Sequence, residues 1–433
     1  MSYRRSVRML IYSTLIACSP SFSAHADEVS DLKNQMQTME TQHQDELRKL
    51  QARLELLETQ EKTRLSAASA SQSGGTSLEK RLTTLEEAAK KVPAFERFAK
   101  INWYADFRLR YEAILNRDNA ANEHRDRGQF RLGATYPVSD ELEFGARLST
   151  GGSSGDSAFV TLGDRFNKDD FQLDRYYFRY RPVKQASIWG GKFENPFWVT
   201  QATWDNDLQP EGAAATYTFK NVAGIDEIST RGGFFTASEI DADNDSTMWG
   251  SQIVATDRVA KDWTAETGFA DYLWHKISPL TVTTNATNTD GSYASDFKEL
   301  DWISRVTYEG WKWPISGLFE YGRNLGASDK IGNNLYWAEA SVGKLKKPLD
   351  WELKYEFAYI QQDAVLADFA GNNTTPETNT VRHGFYANMR VIKNTDLGLT
   401  YIAYERLEPT RTSSTADENT WSGRLRIDLT TKF

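Results

Sequence analysis

The sequence predicts an all-β transmembrane barrel of 16 antiparallel strands preceded by an α-helical coiled-coil segment. Three observations predict it. Long segments beyond residue 100 alternate apolar and polar residues with a period of two, the connections between them alternate short and long, and the chain opens on an export signal yet carries no internal apolar run long enough for a membrane helix.

Residues 1–26 read as a secretory signal peptide: Arg4, Arg5 and Arg8 precede a short apolar core, and Ala24-His25-Ala26 forms an A-x-A cleavage site. The only cysteine, Cys18, lies inside that signal, so cleavage after Ala26 leaves no thiol for disulfide or redox chemistry. LIAC, Leu15 to Cys18, also resembles a lipobox in which Cys18 becomes the lipidated first residue, an alternative that stays open. Of 51 basic and 60 acidic residues, three arginines and no acid leave with the signal, so the mature chain stands at −12, which excludes nucleic acid as an expected partner.

Residues 27–65 are polar but place Val29, Leu32, Met36, Met39, His43, Leu47, Leu50, Leu54 and Leu57 at spacings of three and four with one extra step of four. That is a coiled-coil seam with a stutter, long enough for a periplasmic stalk of roughly 58 Å at 1.5 Å per residue. The small polar residues 66–77 form a flexible linker. A short second helix over 78–99 follows, with Leu78, Leu82, Leu85 and Ala89 in heptad spacing and Pro93 as its stop.

The barrel is expected over 100–433. In INWYADFRLRYE, Ile101, Trp103, Ala105, Phe107, Leu109 and Tyr111 share one parity, and Asn102, Tyr104, Asp106, Arg108, Arg110 and Glu112 the other. The apolar parity is assigned to lipid and the polar parity, in nearly every strand, to a water-filled lumen. WELKYEFAY repeats the pattern at 351–359, with aromatics suited to interfacial girdles. Seven short turns are read at 138–141, 182–185, 220–224, 258–262, 309–312, 344–350 and 393–396. Eight long loops are read at 113–126, 150–170, 194–212, 237–246, 274–297, 322–333, 361–380 and 406–419. Fifteen connections require sixteen strands with both ends on the short-turn side. The last strand, RLRIDLTTKF, ends on Phe433, which resembles the signal by which Gram-negative barrels are recognised by the barrel assembly machinery.

YADFRLRYE, RGQFRLG, LDRYYFRYRP, GGKFENPF, WDNDLQPEGAA and the terminal Phe433 together resemble the putative porin family of Gram-negative outer membranes. The resemblance covers most of 100–433 and implies an outer-membrane channel in contact with lipid and lipopolysaccharide. By analogy with porins it also implies a homotrimer, and an inward-folded third long loop that narrows the pore.

Parity assigns Arg108, Arg110, Arg131, Arg147, Arg175, Arg424 and Arg426 to one basic lumen wall, because the last strand must pair with the first. Neighbouring strands lie about 4.8 Å apart, where two like charges repel by roughly 3 kcal/mol at an effective dielectric of 20. The wall therefore needs water, anions or acids. The third long loop offers Glu194, Asp205, Asp207 and Glu211; alternatively, Asp106, Glu112 and Glu143 neutralise the arginines along the wall and the loop stays outside. Three functions fit: a diffusion porin for small polar or ionic solutes with weak ion selectivity, a structural tether whose coiled coil contacts the periplasm or peptidoglycan, and a substrate-specific anion channel. No enzyme, cofactor or metal is expected. The mature chain keeps four histidines, His43, His124, His275 and His383, with no catalytic pairing in sight. DADNDS at 241–246 fails the EF-hand test, having Ser246 and Gln252 where Gly and Glu are required.

Overall fold

Sixteen long strands form in sequence, each ending where turn or loop residues break its alternation. The computed structural model describes residues 98–116, 121–163, 165–240, 245–280, 284–328, 332–374, 376–407 and 421–433; the signal, coiled-coil and linker assignments, and the second-helix assignment apart from Phe98 and Ala99, lie outside the described residues, as do Asp241 and Asp243 of the acidic loop. The first half of the barrel comprises β1 (Asn102–Leu115), β2 (Glu123–Pro137), β3 (Leu142–Thr150), the two-residue β4 (Val160–Thr161), β5 (Phe171–Tyr180), β6 (Ala186–Lys192), β7 (Glu211–Val222), β8 (Ile225–Ser238) and β9 (Ser246–Ala260). The second half comprises β10 (Trp263–His275), β11 (Lys298–Tyr308), β12 (Ile315–Asn324), β13 (Asn334–Gly343), β14 (Trp351–Ile360), β15 (Thr380–Ile392), β16 (Thr395–Arg406) and β17 (Ser422–Lys432).

Each long strand pairs antiparallel with its neighbours, and β17 pairs with β1 from Asp106↔Lys432 to Leu115↔Gly423. Closure leaves no unpaired strand edge, the condition for carrying a sheet through lipid. The chain end completes the seam: Ala105 N–H donates to the Phe433 carbonyl at 2.7 Å, and Phe433 N–H donates back at 3.0 Å. The small β4 is not a wall strand. It pairs with Arg127 and Gly128 of β2, above the level at which β3 has ended.

All seven short turns lie where the sequence places them. The β7–β8 turn is a two-residue hairpin in which Ala223 and Gly224 both adopt positive φ, 53° and 89°, the twist that joins adjacent strands tightly. The largest shift of a long-loop boundary is in the first loop: β1 runs to Leu115 and β2 starts at Glu123, inside the loop expected at 113–126. The charges of EHRDR read as loop, yet they alternate as strand, with Arg125 and Arg127 bonded inward.

The outward parity is apolar as expected. Trp103, Phe107, Leu109 and Tyr111 of β1 are exposed, as are Leu353 and Tyr355 of β14 and Ile427 and Leu429 of β17. The inward parity departs from the expectation of a polar lumen in nearly every strand. Phe235, Met248, Tyr272, Trp274, Ile303, Leu335, Trp337 and Ile360, on β8 to β14, point inward and are buried. They are covered by loops, which the alternation of any single strand does not reveal.

The closed seam predicts heat modifiability. Unboiled protein in detergent should migrate faster than boiled protein and give a strand-dominated circular dichroism spectrum, whereas identical migration with a helical spectrum would contradict the barrel.

Candidate functional site

The loop between β6 and β7 enters the barrel because half of its side chains are apolar and the far wall offers them a seat. Phe193, Phe197 and Trp204 pack against Phe235, Met248, Tyr272, Trp274, Phe297 and Leu366, and Ala202 joins Ile303, Leu335, Trp337 and Ile360. Each buried aromatic contributes about 2 kcal/mol relative to exposure. Gly250 makes room for this seat: a Cβ there would lie 2.6 Å from the Phe197 ring. Polar staples fix the register. Trp198 N–H donates to Gln252 Oε1 at 2.8 Å, Gln252 Nε2 returns a bond to the Trp198 carbonyl at 2.7 Å, and Thr203 Oγ1 donates to Glu320 Oε1 at 2.6 Å.

A second inward loop, between β14 and β15, braces the first. Gly371 N–H donates to the Gln201 carbonyl at 2.7 Å, Asp205 N–H to the Phe369 carbonyl at 2.8 Å, and Asn372 N–H to Asp205 Oδ2 at 3.0 Å. With its apolar side seated, the β6–β7 loop turns Asp205, Asn206 and Asp207 toward β1, β2, β3 and β17.

There the arginines line a cavity of about 660 Å³. Arg108, Arg110, Arg131, Arg147, Arg175, Arg424 and Arg426 all face it, together with Glu194, Asp205 and Asp207. Two ion pairs span from wall to loop: Arg131 to Asp207 at 3.2 Å and Arg175 to Glu194 at 3.1 Å. Others run along the wall: Arg131 to Asp106 at 3.0 Å, Arg110 to Asp428 at 2.8 Å, and Arg147 to Asp174 at 2.6 Å. The fully buried Glu112 accepts from Arg426 Nε and Arg125 Nε, each at 2.7 Å, with Arg127 at 3.6 Å and Arg424 at 4.0 Å. Wall pairing and an inward loop therefore coexist, although the sequence presents them as alternatives.

Glu211 does not join this group. It opens β7 on the outward parity of Ala213, Ala215 and Tyr217, and pairs with Lys192 of β6 at 2.7 Å. The expected loop runs to 212, but β7 already begins at Glu211, so this residue belongs to the wall and takes the outward parity of its strand. Several lumen residues escape a reading of the sequence. Arg125 and Arg127 share the parity of Arg131, a signal that was available. Asp174 escapes because a bulge between Arg147 and Leu148 breaks the period of two and turns Asp174 and Arg175 inward together. Phe159, from the loop carrying β4, lies 4.2 Å from the guanidinium of Arg110 and 5.0 Å from that of Arg127, in cation–π contact.

A family model described as putative porin matches residues 82–305, just over half of the chain. The chain belongs to the putative porin family. Among solved structures it is similar in fold to the high-pH structure of Pseudomonas putida OprB, at 11% identity over 80% of this chain and 97% of that one, with a TM-score of 0.52. Matches also include Salmonella typhi OmpF in complex with daunomycin, at 10% identity over 77% of this chain and 97% of that one (TM-score 0.48). The trimer form of in-vitro folded Vibrio cholerae OmpT matches at 11% identity over 77% and 99% (TM-score 0.46). No curated protein sequence matches. The chain is thus a porin-type barrel of the outer membrane.

Within this porin lumen, Asp205 is the loop acid most removed from water. Burial pushes its carboxyl up to about 6, against the two backbone N–H donors of Asp207 and Asn372 that favour the charged form. A carboxyl held above its ordinary range is neutral at lower pH and gains a negative charge as pH rises through about 6. Zero-current potentials in a KCl gradient should therefore move toward cation selectivity across that pH. Asp205→Asn should flatten this step, and an unchanged step in the variant would contradict the assignment.

Proposed function

We propose that the protein is a passive diffusion channel for small polar or ionic solutes, in which the basic wall and the β6–β7 loop form the constriction. The observation that carries this reading is the contact between the inward loop and the basic wall, Arg131 to Asp207 at 3.2 Å, with Arg175 held by Glu194 where the loop leaves β6. Arginines on one side and carboxylates on the other set a transverse field, which orients dipolar solutes and disfavours apolar ones. The chain acts without catalysis, cofactor or metal, and its partners are lipid, lipopolysaccharide and the solutes themselves. Phe433, exposed at the end of the closing seam, serves as the assembly signal read by the barrel assembly machinery.

Replacing Arg131 and Arg147 with Ala should shift the zero-current potential in a KCl gradient toward cation selectivity. Replacing Asp205 and Asp207 with Asn should shift it the other way. Absence of a shift from either pair would mean that these residues do not line the constriction.

The N-terminal region completes the proposal. After cleavage at Ala26, residues 27–65 are proposed to form a periplasmic coiled coil, joined through the 66–77 linker and a helix over 78–99 to the barrel, that helps to hold a homotrimer. Heptad spacing supports association, and porin analogy supplies the number three. Sedimentation of the detergent-extracted full-length protein should give a trimer, and a monomer would contradict it.

A further inference from the structure

We propose that one passage within the lumen is a binding site for small oxyanionic solutes, those carrying a carboxylate or phosphate group. This deepens the diffusion-channel reading and rests on it. The 660 Å³ cavity and a second cavity of about 390 Å³ share six lining residues that bear on the argument: Arg108, Arg110 and Arg426 on the wall, and Gln201, Asn206 and Asn373 on the two inward loops. The loop acids Asp207 and Glu194 point to Arg131 and Arg175, and the carboxylates lining the smaller cavity each have a cation of their own: Asp428 with Arg110, Glu339 with Lys354, Glu356 with Arg382 and Asp396 with Arg390. Three guanidinium groups therefore face three amides.

The guanidinium groups differ in how far they are neutralised. Arg110 has its own carboxylate, Asp428. Arg426 has only a share of Glu112, which lies within 4.0 Å of four guanidinium groups, those of Arg125, Arg127, Arg424 and Arg426. Arg108 donates from Nε to Thr430 Oγ1 at 3.0 Å and, among the described residues, has no carboxylate at ion-pair distance. Its remaining N–H donors form the planar fork that matches two oxygens of a carboxylate or phosphate. The facing amides can donate N–H to further oxygens of the same solute and present no charge that would repel it. Deeper in the same basic wall, four guanidinium groups share Glu112 with only Glu123 beside Arg125 as a second carboxylate, and the Nε of Arg127 and of Arg424 are buried without a hydrogen-bond acceptor, so positive charge is in excess there. An anion entering from the wide cavity is drawn along that wall to Arg108.

Single-channel currents of the full-length protein in planar bilayers carry the test, with KCl as electrolyte and succinate or inorganic phosphate added to one side. Both should interrupt the KCl current in a concentration-dependent way, while neutral glycerol should not; interruption by one alone narrows the class to that group. Arg108→Ala should weaken the interruption by about tenfold or more, the factor associated with a lost charged hydrogen bond. Arg108→Lys keeps the charge but loses the fork and should fall between, and Gln201→Glu should abolish the interruption by placing a carboxylate opposite the wall. Heat modifiability identifies which variants have folded, and Arg108→Lys serves if Arg108→Ala does not fold. KCl conductance without oxyanion interruption, or an interruption indifferent to all three substitutions, overturns the site and leaves the diffusion channel standing. A folded barrel that passes no KCl current overturns both.

Discussion

Phe193, Phe197 and Trp204 hold the β6–β7 loop against the inward faces of β8 to β10, and the polar arrangement of the lumen depends on that contact. Water in an open pore would compete for every hydrogen bond of a free loop, and the entropy of ordering it would oppose docking. Several buried aromatic side chains offset that cost, at about 2 kcal/mol each. The seat has a steric condition at Gly250, where even a methyl group would collide with Phe197. Because the apolar side of the loop is fixed on one wall, Asp205 and Asp207 at its tip face the arginine-lined cavity on the other side.

The opposite wall depends on the loop in turn. Arginines on adjacent strands repel, and the barrel answers the repulsion locally wherever it can: Asp106 for Arg131, Asp174 for Arg147, Asp428 for Arg110. Such pairs in a partly buried, low-dielectric lumen fix side-chain direction more than they stabilise the fold. The bulge on β5 is part of this device, since it alone brings Asp174 to the same face as Arg175. Around Glu112 the local answer is incomplete, and acceptors on the second inward loop supplement it. Arg424 donates to the Asn372 carbonyl at 2.9 Å and Arg426 to Asn373 Oδ1 at 2.6 Å. That loop is thus tied to the first loop and to the basic wall through the same short stretch, Phe369 to Asn373.

Much of the barrel was legible because its rules are local. Period-two alternation and turn residues place all sixteen strands, and the seven wall arginines follow from parity counted along β1, β2, β3, β5 and β17. What failed was whatever depends on contacts distant in sequence. The β1–β2 hairpin rises above its expected ends because Glu112 and Arg125 satisfy each other across strands, so charge did not signal a loop there. Glu211 faces outward because it is the first residue of β7 rather than part of the loop, and so follows the alternation of that strand. The buried apolar lining at Phe235, Met248, Tyr272 and Trp274 was unreadable from any strand alone, since an inward aromatic is sensible only when a loop from elsewhere covers it.

The seating of the β6–β7 loop inside the barrel is most directly tested by proximity in the native membrane. The only cysteine of the chain is Cys18, within the N-terminal segment read as a signal, so a pair introduced at Arg131 and Asp207 reports without background once that segment is removed. A short bifunctional thiol reagent applied to whole cells should join the two positions in the wild-type background, and should fail to join them when Gly250→Val displaces Phe197 from its seat. Efficient cross-linking in the first case with loss in the second is the predicted result. No cross-link in the wild-type background, with the cysteine at 207 freely labelled by a bulky reagent from outside, would contradict the account.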